Sequence, residues 1–351
     1  MKSVIRIFYT AALVLSASPS FAQQNITDYS KRIDSLIQQP SPRPFNGVVL
    51  ITKNGKAQYS KAYGFKDSRT KAPLKINNQF EIMSNSKQVT AVLILKQFEK
   101  GKLDLQAPVK KYIPTLTQPW ADSVTVHQLL NHTHGILDTE KPLAFKPGTE
   151  FKYGNLSNIL LGQIIENTSG SSYTKLANEL FKELHMNNTF CYSKNNNRSL
   201  VTGHMNKNNV FTPVENSFIN DKNMPADGII STAEDMALWN SLLHKGKILN
   251  KKSYALMTTS SVLSEHNVFG KDKMGYGYAI RIVKYNGIPY FGHTGLGDGF
   301  ASLNVYIPGS DVSIVVMENQ MSEDNTLYYY HEALIRDMVL ESNLIKQVRK
   351  P

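Results

Sequence analysis

The sequence predicts an α+β chain, an α/β sandwich. One antiparallel sheet is shared by the two ends of the chain and flanked by terminal helices, and an all-helical domain is inserted between the two strand groups. Three observations predict this. Strand-like stretches broken by Asn-Gly and Pro-Gly turns occur near residue 50 and again beyond residue 275. Helical periodicity fills the middle of the chain. Amphipathic helices are expected outside both strand groups, at 25–39 and 325–341. At about 150 residues per domain, a chain of 351 residues accommodates two structural units. The expected boundaries are 23–83 with 254–351 for the sheet domain and 84–253 for the helical one, with the working site at their interface.

The first 22 residues read as a secretory signal. Lys2 and Arg6 form a basic start, Ile7 to Ala17 an apolar core, and Ser20-Phe21-Ala22 a small-x-small cleavage site. Cleavage after Ala22 would deliver the chain across a bacterial inner membrane, to the periplasm or the medium. No later run approaches the ~18 apolar residues that a membrane helix requires.

Next, Ile26, Tyr29, Ile33, Leu36 and Ile37 recur at helical spacing, and "PSPRP" ends that helix. "NGVVLITKNGKAQYSKAYGF" reads as a hairpin turning at Asn54-Gly55. Helices are expected at 84–100, 156–168, 173–184 and 233–245, joined by polar loops that include the Asn-rich stretch 194–209. "YGYAIRIVKY", "IPYFGH", "FASLNVYI" and "VSIVVMEN" are the returning strands, with turns at Asn286-Gly287 and Pro308-Gly309.

Composition narrows the function. Apolar residues make up 41% of the chain, enough for a real core, and the single cysteine, Cys191, excludes an intramolecular disulfide framework. The 39 basic and 28 acidic side chains leave a net charge of +11. The lysines are scattered and often sit beside asparagine, with no basic arm and no aromatic-interleaved stripe. The charge is therefore that of a solvated surface and gives no specific nucleic-acid partner.

Chemistry is first suggested by "FEIMSNSKQVTAVLILKQFE". Ser-x-x-Lys occurs three times, at Ser68/Lys71, Ser84/Lys87 and Ser172/Lys175, so the spacing alone says little. Only Ser84 precedes a helix that is apolar nearly all round, which implies burial between layers. A helix start offers free N–H groups and the positive end of the helix dipole to developing negative charge. Residues three apart share a helix face, so Lys87 reaches the Ser84 hydroxyl. That hydroxyl is a poor nucleophile until its proton is taken, and a lysine kept from water is suited to help. A serine N-cap with a snorkelling lysine would show the same spacing.

Two further motifs accompany the pair. Tyr153-Gly154-Asn155 leads into the 156–168 helix, and Lys87 would supply the cation that a phenol needs to act as a base. Asn155 would orient Lys87 or a substrate carbonyl. His293-Thr294-Gly295, in "YFGHTGLGDGF", ends a strand whose glycines admit close approach of another chain. His127, His132 and His134 lack a third ligand at metal-site spacing and are expected to cap and pack a turn after a helix at 125–131. Trp120 and Trp239 are expected in core or rim packing.

In the order Ser84, Tyr153, His293, on helix, loop and strand, these motifs resemble the serine hydrolases of the penicillin-recognising fold. Within it the chain is most similar to the group of class C β-lactamases, D-alanyl-D-alanine carboxypeptidases, D-aminopeptidases and related esterases. "GKLDLQAPVKKYIP", "VTVHQLLNHTHGI", "KPGTEFKYGN" and "DGIISTAEDMALW" share the likeness, which covers roughly residues 40–340.

The resemblance implies an acyl-enzyme on Ser84, with Lys87 as its proton partner and Tyr153 as general base. Asn155, His293, Thr294 and Gly295 would bind substrate, and the backbone N–H groups of Ser84 and Leu296 would form the oxyanion hole. No metal or organic cofactor is implied. The substrate would be a small molecule or a peptide, such as one derived from peptidoglycan.

Departures from the pattern bear on the substrate. Met83 replaces a common Gly, His134 a common Ser and Asp227 a common Gly, and no Lys-Thr-Gly occurs. A histidine, with an ordinary pKa near ~6.5, is only partly charged at neutrality, and a neighbouring lysine depresses it further. His293 therefore gives no fixed cation for a β-lactam carboxylate. This favours a D-peptidase or esterase over a class C-type β-lactamase, with a slowly turning-over penicillin-binding sensor as another alternative. An arginine from elsewhere in the chain would restore the cation.

Overall fold

The computed structural model describes residues 21–193, 199–270 and 273–346. The expected leader lies outside them except for residues 21 and 22, which open the helix Phe21–Gln38. Residues 194–198 of the Asn-rich stretch also lie outside.

An eight-stranded, wholly antiparallel sheet forms the centre. Its order is Lys56–Tyr63, Gly47–Lys53, Val312–Glu318, Phe300–Ile307, Ile288–Gly297, Arg281–Tyr285, Met274–Tyr276 and Val262–Ser264. N- and C-terminal strands thus meet where Gly47–Lys53 pairs with Val312–Glu318. The tight turns are those the sequence announces: Asn54, Gly55, Asn286 and Gly287 all have positive φ, as a two-residue hairpin of this twist demands.

"GVVLITK" is apolar on both faces because both are covered. Val48 and Leu50 join Val315 and Met317 in a core shared with the central helices. Val49 and Ile51 join Ile314 and Val316 in a second core, closed by Tyr29, Ile33 and Ile37 of the first helix and by Ile335 and Val339 of the helix Tyr330–Leu340.

The central layer contains Ser86–Glu99, Val126–Leu130, Leu156–Ser169, Tyr173–Glu183 and Ala233–His244, close to their expected bounds. Asn240 ties the last of these to the sheet through Asn304 Oδ1 (2.7 Å), Ser313 Oγ (2.7 Å) and the Val305 carbonyl (3.2 Å). Several features depart from the expected outline: the strand expected over 276–285 divides into Met274–Tyr276 and Arg281–Tyr285, and Val262–Ser264 adds a strand at the sheet edge. Phe80–Glu81, Ile229–Ser231 and Phe190–Cys191 pair as a small sheet. His204–Lys207 and Val210–Pro213 form a hairpin turning at Asn208-Asn209. Lys251–Thr258 is helical. The terminal helix begins five residues late, after a 3-10 turn at Asn325–Leu327.

A buried ion cluster fastens the terminal helix to the sheet. Arg43 grips Glu318 with two bonds of 2.7 and 2.8 Å, and His331 Nδ1 lies 3.2 Å from the same carboxylate. Glu332 is buried beside them, 3.7 Å from Arg43, and neither of its oxygens has a hydrogen-bond partner. Burial, with Glu318 adding repulsion, pushes the Glu332 pKa up to about 8 from 4.5. The folded state therefore holds a proton that the unfolded chain releases between those values. This contribution to stability is complete below pH 4.5 and is lost as pH rises toward 8. Glu332→Gln should leave the melting temperature unchanged at pH 4 and raise it at pH 7.5. Equal melting of variant and parent at pH 7.5 would contradict this account.

Candidate active site

Ser84 lies in the 3-10 turn Met83–Asn85 that feeds the helix Ser86–Glu99. The helix is held from several sides. Trp239 Nε1 donates to Gln88 (3.0 Å), and the Thr90 hydroxyl donates to the Pro225 carbonyl (2.6 Å) and lies 2.8 Å from Tyr173 Oη. The turn itself is pressed against the strand Ile288–Gly297. A Cβ on Gly295 would stand 2.1 Å from the Ile82 carbonyl oxygen and 2.9 Å from Met83 Cβ, so only glycine fits there. Met83, the residue standing for a common glycine, has φ of +49°, a left-handed conformation costing a non-glycine residue about 1–3 kcal/mol. The contact sets Gly295 against Ile82 and Met83, the two residues that precede Ser84. Pairing with Arg281–Tyr285 stops at Gly292, which leaves residues 293–297 without a strand partner on that side among the described residues.

Lys87 is fully buried. Its Nζ meets four oxygens: Ser84 Oγ at 2.7 Å, Asn155 Oδ1 at 2.8 Å, the Ala226 carbonyl at 3.1 Å and Asp227 Oδ1 at 3.3 Å. The Ser84 hydroxyl donates to Asp227 Oδ1 (3.0 Å), and Asn155 Nδ2 donates to Asp227 Oδ2 (2.6 Å). The helix Ser86–Glu99, the approach to Leu156–Ser169 and the short helix Met224–Asp227 therefore converge on one amine.

Tyr153 shares this pocket. Its ring centroid is 5.3 Å from Lys87 Nζ, 4.6 Å from the His132 ring and 6.0 Å from the His293 ring. Its hydroxyl is buried and has no hydrogen-bond partner. His293 is fully buried. Its Nδ1 lies 2.8 Å from the Thr294 carbonyl and its Nε2 3.3 Å from Tyr276 Oη. Burial, then the positive charges of Arg281 and Lys87, hold its pKa well below the ordinary value. His293 is therefore neutral, and its bonds are those of an imidazole that donates to Thr294 and accepts from Tyr276.

Arg281 places a further cation beside Tyr153. It is buried, and its guanidinium lies 5.5–5.6 Å from the ring centroids of Tyr153, Phe269 and Tyr276. Nε and Nη1 have no hydrogen-bond partner. A cleft of about 650 Å³ opens beside Tyr153, bounded by Phe151, Lys152, Val262, Glu265 and Lys273.

Sequence reading missed two partners. Asp227 stood only as a departure at the pocket rim, yet it touches three members of the site. Arg281 was not singled out at all, although an arginine in an otherwise apolar strand segment was a signal.

The remaining histidines and serines are structural in form. His134 Nδ1 accepts from the Ile136 N–H (3.0 Å), His132 Nδ1 lies 3.1 Å from Ser157 Oγ, and burial depresses both pKa values, that of His134 to about 4. Among the described residues no group of three or more acidic, His or Cys side chains is placed to hold a metal ion. Ser172 caps the helix Tyr173–Glu183, and Ser68 lies in a loop. Cys191 is buried and its thiol is pushed up to about 12 by burial, so it is chemically idle. Trp120 and Trp239 are core residues.

Comparison with known proteins agrees with this geometry. The family model described as Beta-lactamase matches residues 33–336. Protein flp of Staphylococcus aureus (strain MRSA252) is 30% identical over 329 residues, covering 84% of this chain and 64% of that protein. The chain thus spans a little under two thirds of the length of that relative. The octameric penicillin-binding protein homologue from Pyrococcus abyssi superposes with a TM-score of 0.75 at 25% identity, covering 93% of this chain and 78% of the other. The D-amino acid amidase of Ochrobactrum anthropi SV3 shares the fold, with a TM-score of 0.73 at 18% identity over 89% of this chain and 99% of its own.

Ser84→Ala should abolish covalent labelling by a fluorophosphonate probe, read by intact-mass spectrometry. A labelled Ser84→Ala protein would place the nucleophile elsewhere.

Proposed function

The chain belongs to the β-lactamase family of serine hydrolases, and within it we propose a D-alanyl-D-alanine carboxypeptidase-like activity on D-peptides of cell-wall origin. The acyl group passes to Ser84, the terminal residue leaves, and water completes the hydrolysis. One observation carries this choice over a simple esterase: the buried guanidinium of Arg281 beside Tyr153, with Nε and Nη1 free of hydrogen bonds and no carboxylate in contact among the described residues. A buried cation without a counter-charge is costly, and a carboxylate just beyond the scissile bond would satisfy its fork with two charge-assisted bonds. Thr294 lies on the same strand face as Gly292, the register partner of Arg281, but its buried hydroxyl lies 3.2 Å from His266 Nε2, so Arg281 is the group left to hold that carboxylate. Neutral His293 offers no competing charge. Simple esters have no group for Arg281 to hold.

A panel of an acyl-D-Ala-D-Ala peptide, p-nitrophenyl acetate and butyrate, and nitrocefin tests the reading, with the peptide expected to give the highest kcat/KM. Arg281→Gln should raise KM for the peptide by about 10–100-fold, in line with loss of a desolvated charge pair, and leave p-nitrophenyl acetate hydrolysis within about threefold. Equal losses on both substrates would mean that Arg281 is structural. A fluorescent penicillin that stays bound would point instead to a slowly deacylating sensor.

The leader reading belongs to the same proposal: export followed by cleavage after Ala22. The secreted product should begin at Gln23 by intact mass, and a product retaining Met1 in the cytoplasm would refute it.

A further inference from the structure

We propose that Asp227 is a catalytic residue, the group that accepts the Ser84 proton during acylation. The inference rests on Ser84 being the acylated nucleophile and goes beyond it by locating the first proton transfer. Three atoms could take that proton: Lys87 Nζ, Tyr153 Oη and Asp227 Oδ1. The Tyr153 hydroxyl makes no hydrogen bond to either partner. Lys87 Nζ has oxygens on every contact. Asn155 Oδ1 and the Ala226 carbonyl are pure acceptors, and Ser84 Oγ is the third short neighbour. The Asp227 carboxylate, 3.3 Å from Nζ in the same buried pocket, pairs with an ammonium whose three donors go to these oxygens at 2.7–3.1 Å and which has no lone pair with which to act as a base. The Asn155 amide is oriented by the same logic, with its oxygen toward Lys87 and its nitrogen toward Asp227 Oδ2. The serine hydrogen is left one acceptor, Asp227 Oδ1 at 3.0 Å.

The step balances within these groups. The Ser84 O–H bond breaks, its proton passes to Asp227 Oδ1, and the freed electron pair forms the bond from Oγ to the substrate carbonyl carbon. The carbonyl π pair moves to oxygen, facing the Ser84 and Leu296 N–H groups. When the intermediate collapses, the bond to the leaving group breaks and that group takes the proton from Asp227. Lys87 stays in place as a fixed donor beside both oxygens. Burial makes this pairing effective: Lys87 and Asp227 are each almost wholly removed from water, so neither charge is screened.

The test compares fluorophosphonate labelling rates of wild type, Asp227→Asn and Asp227→Gly, with thermal melts confirming that each variant folds. Glycine is the residue that the family pattern commonly carries, and asparagine keeps the shape without the basic oxygen. Both should label about 10²–10⁴-fold more slowly, the range contributed by a positioned general base. Added formate should restore the rate in the glycine variant, where space is left for it, and not in the asparagine variant. A merely structural role for Asp227 would not respond to formate. Labelling of either folded variant within threefold of wild type overturns the proposal, while loss of labelling in Ser84→Ala keeps the hydrolase reading intact. Failure of the wild-type protein to label at Ser84 would defeat that underlying reading instead.

Discussion

The architecture turns on a single amine removed from water. Lys87 Nζ is buried completely, and a buried amine without acceptors would cost several kcal/mol. Its acceptors come from positions 68, 139 and 140 residues away, as well as from Ser84 on its own turn. Satisfying one nitrogen therefore obliges three elements of the central layer to meet at one point. The surroundings of Ser84 follow from that requirement: the serine hydroxyl, the Asn155 amide and the Asp227 carboxylate are among the groups that make the buried amine tolerable.

The sheet supplies the other wall. Gly295 lets its strand close onto the Ile82 carbonyl and the Met83 turn, a spacing that any Cβ would block. The same strand carries His293, kept neutral by burial and by two nearby cations, and its neighbour carries Arg281. Charge in the pocket is thus distributed with little redundancy. One carboxylate stands in contact with the serine, one amine supports it, and one guanidinium lies against Tyr153 with two of its nitrogens free of hydrogen bonds among the described residues.

Much of the fold was legible because its signals are local. Asn54-Gly55 and Asn286-Gly287 require left-handed backbone, and the alternation around them sets the hairpins. The apolar run from Val89 to Leu95 announces a helix covered on all sides, and it is. The pieces that escaped reading are short. Strands of two to four residues, such as Phe80–Glu81 and His204–Lys207, are too brief to show a period of two. The Asn208-Asn209 turn was a usable signal, masked by the polarity of its surroundings. The helix Lys251–Thr258 spans barely two turns, with only Ser253 and Met257 buried, so its apolar stripe is faint.

The sequence by itself determined which residues could do chemistry: a serine and a lysine three apart at the start of a buried helix, a tyrosine and an asparagine leading into another, and a histidine-threonine-glycine end to a strand. Helical and strand geometry decide contacts over three or four residues, so those pairs needed no tertiary information. Tertiary packing alone decided that Asp227 would lie against Ser84 and that Arg281 would stand over Tyr153, across separations of 143 and 128 residues. Nothing in local spacing encodes such contacts. They arise when the helical layer settles on the sheet and brings together side chains that lie far apart along the chain.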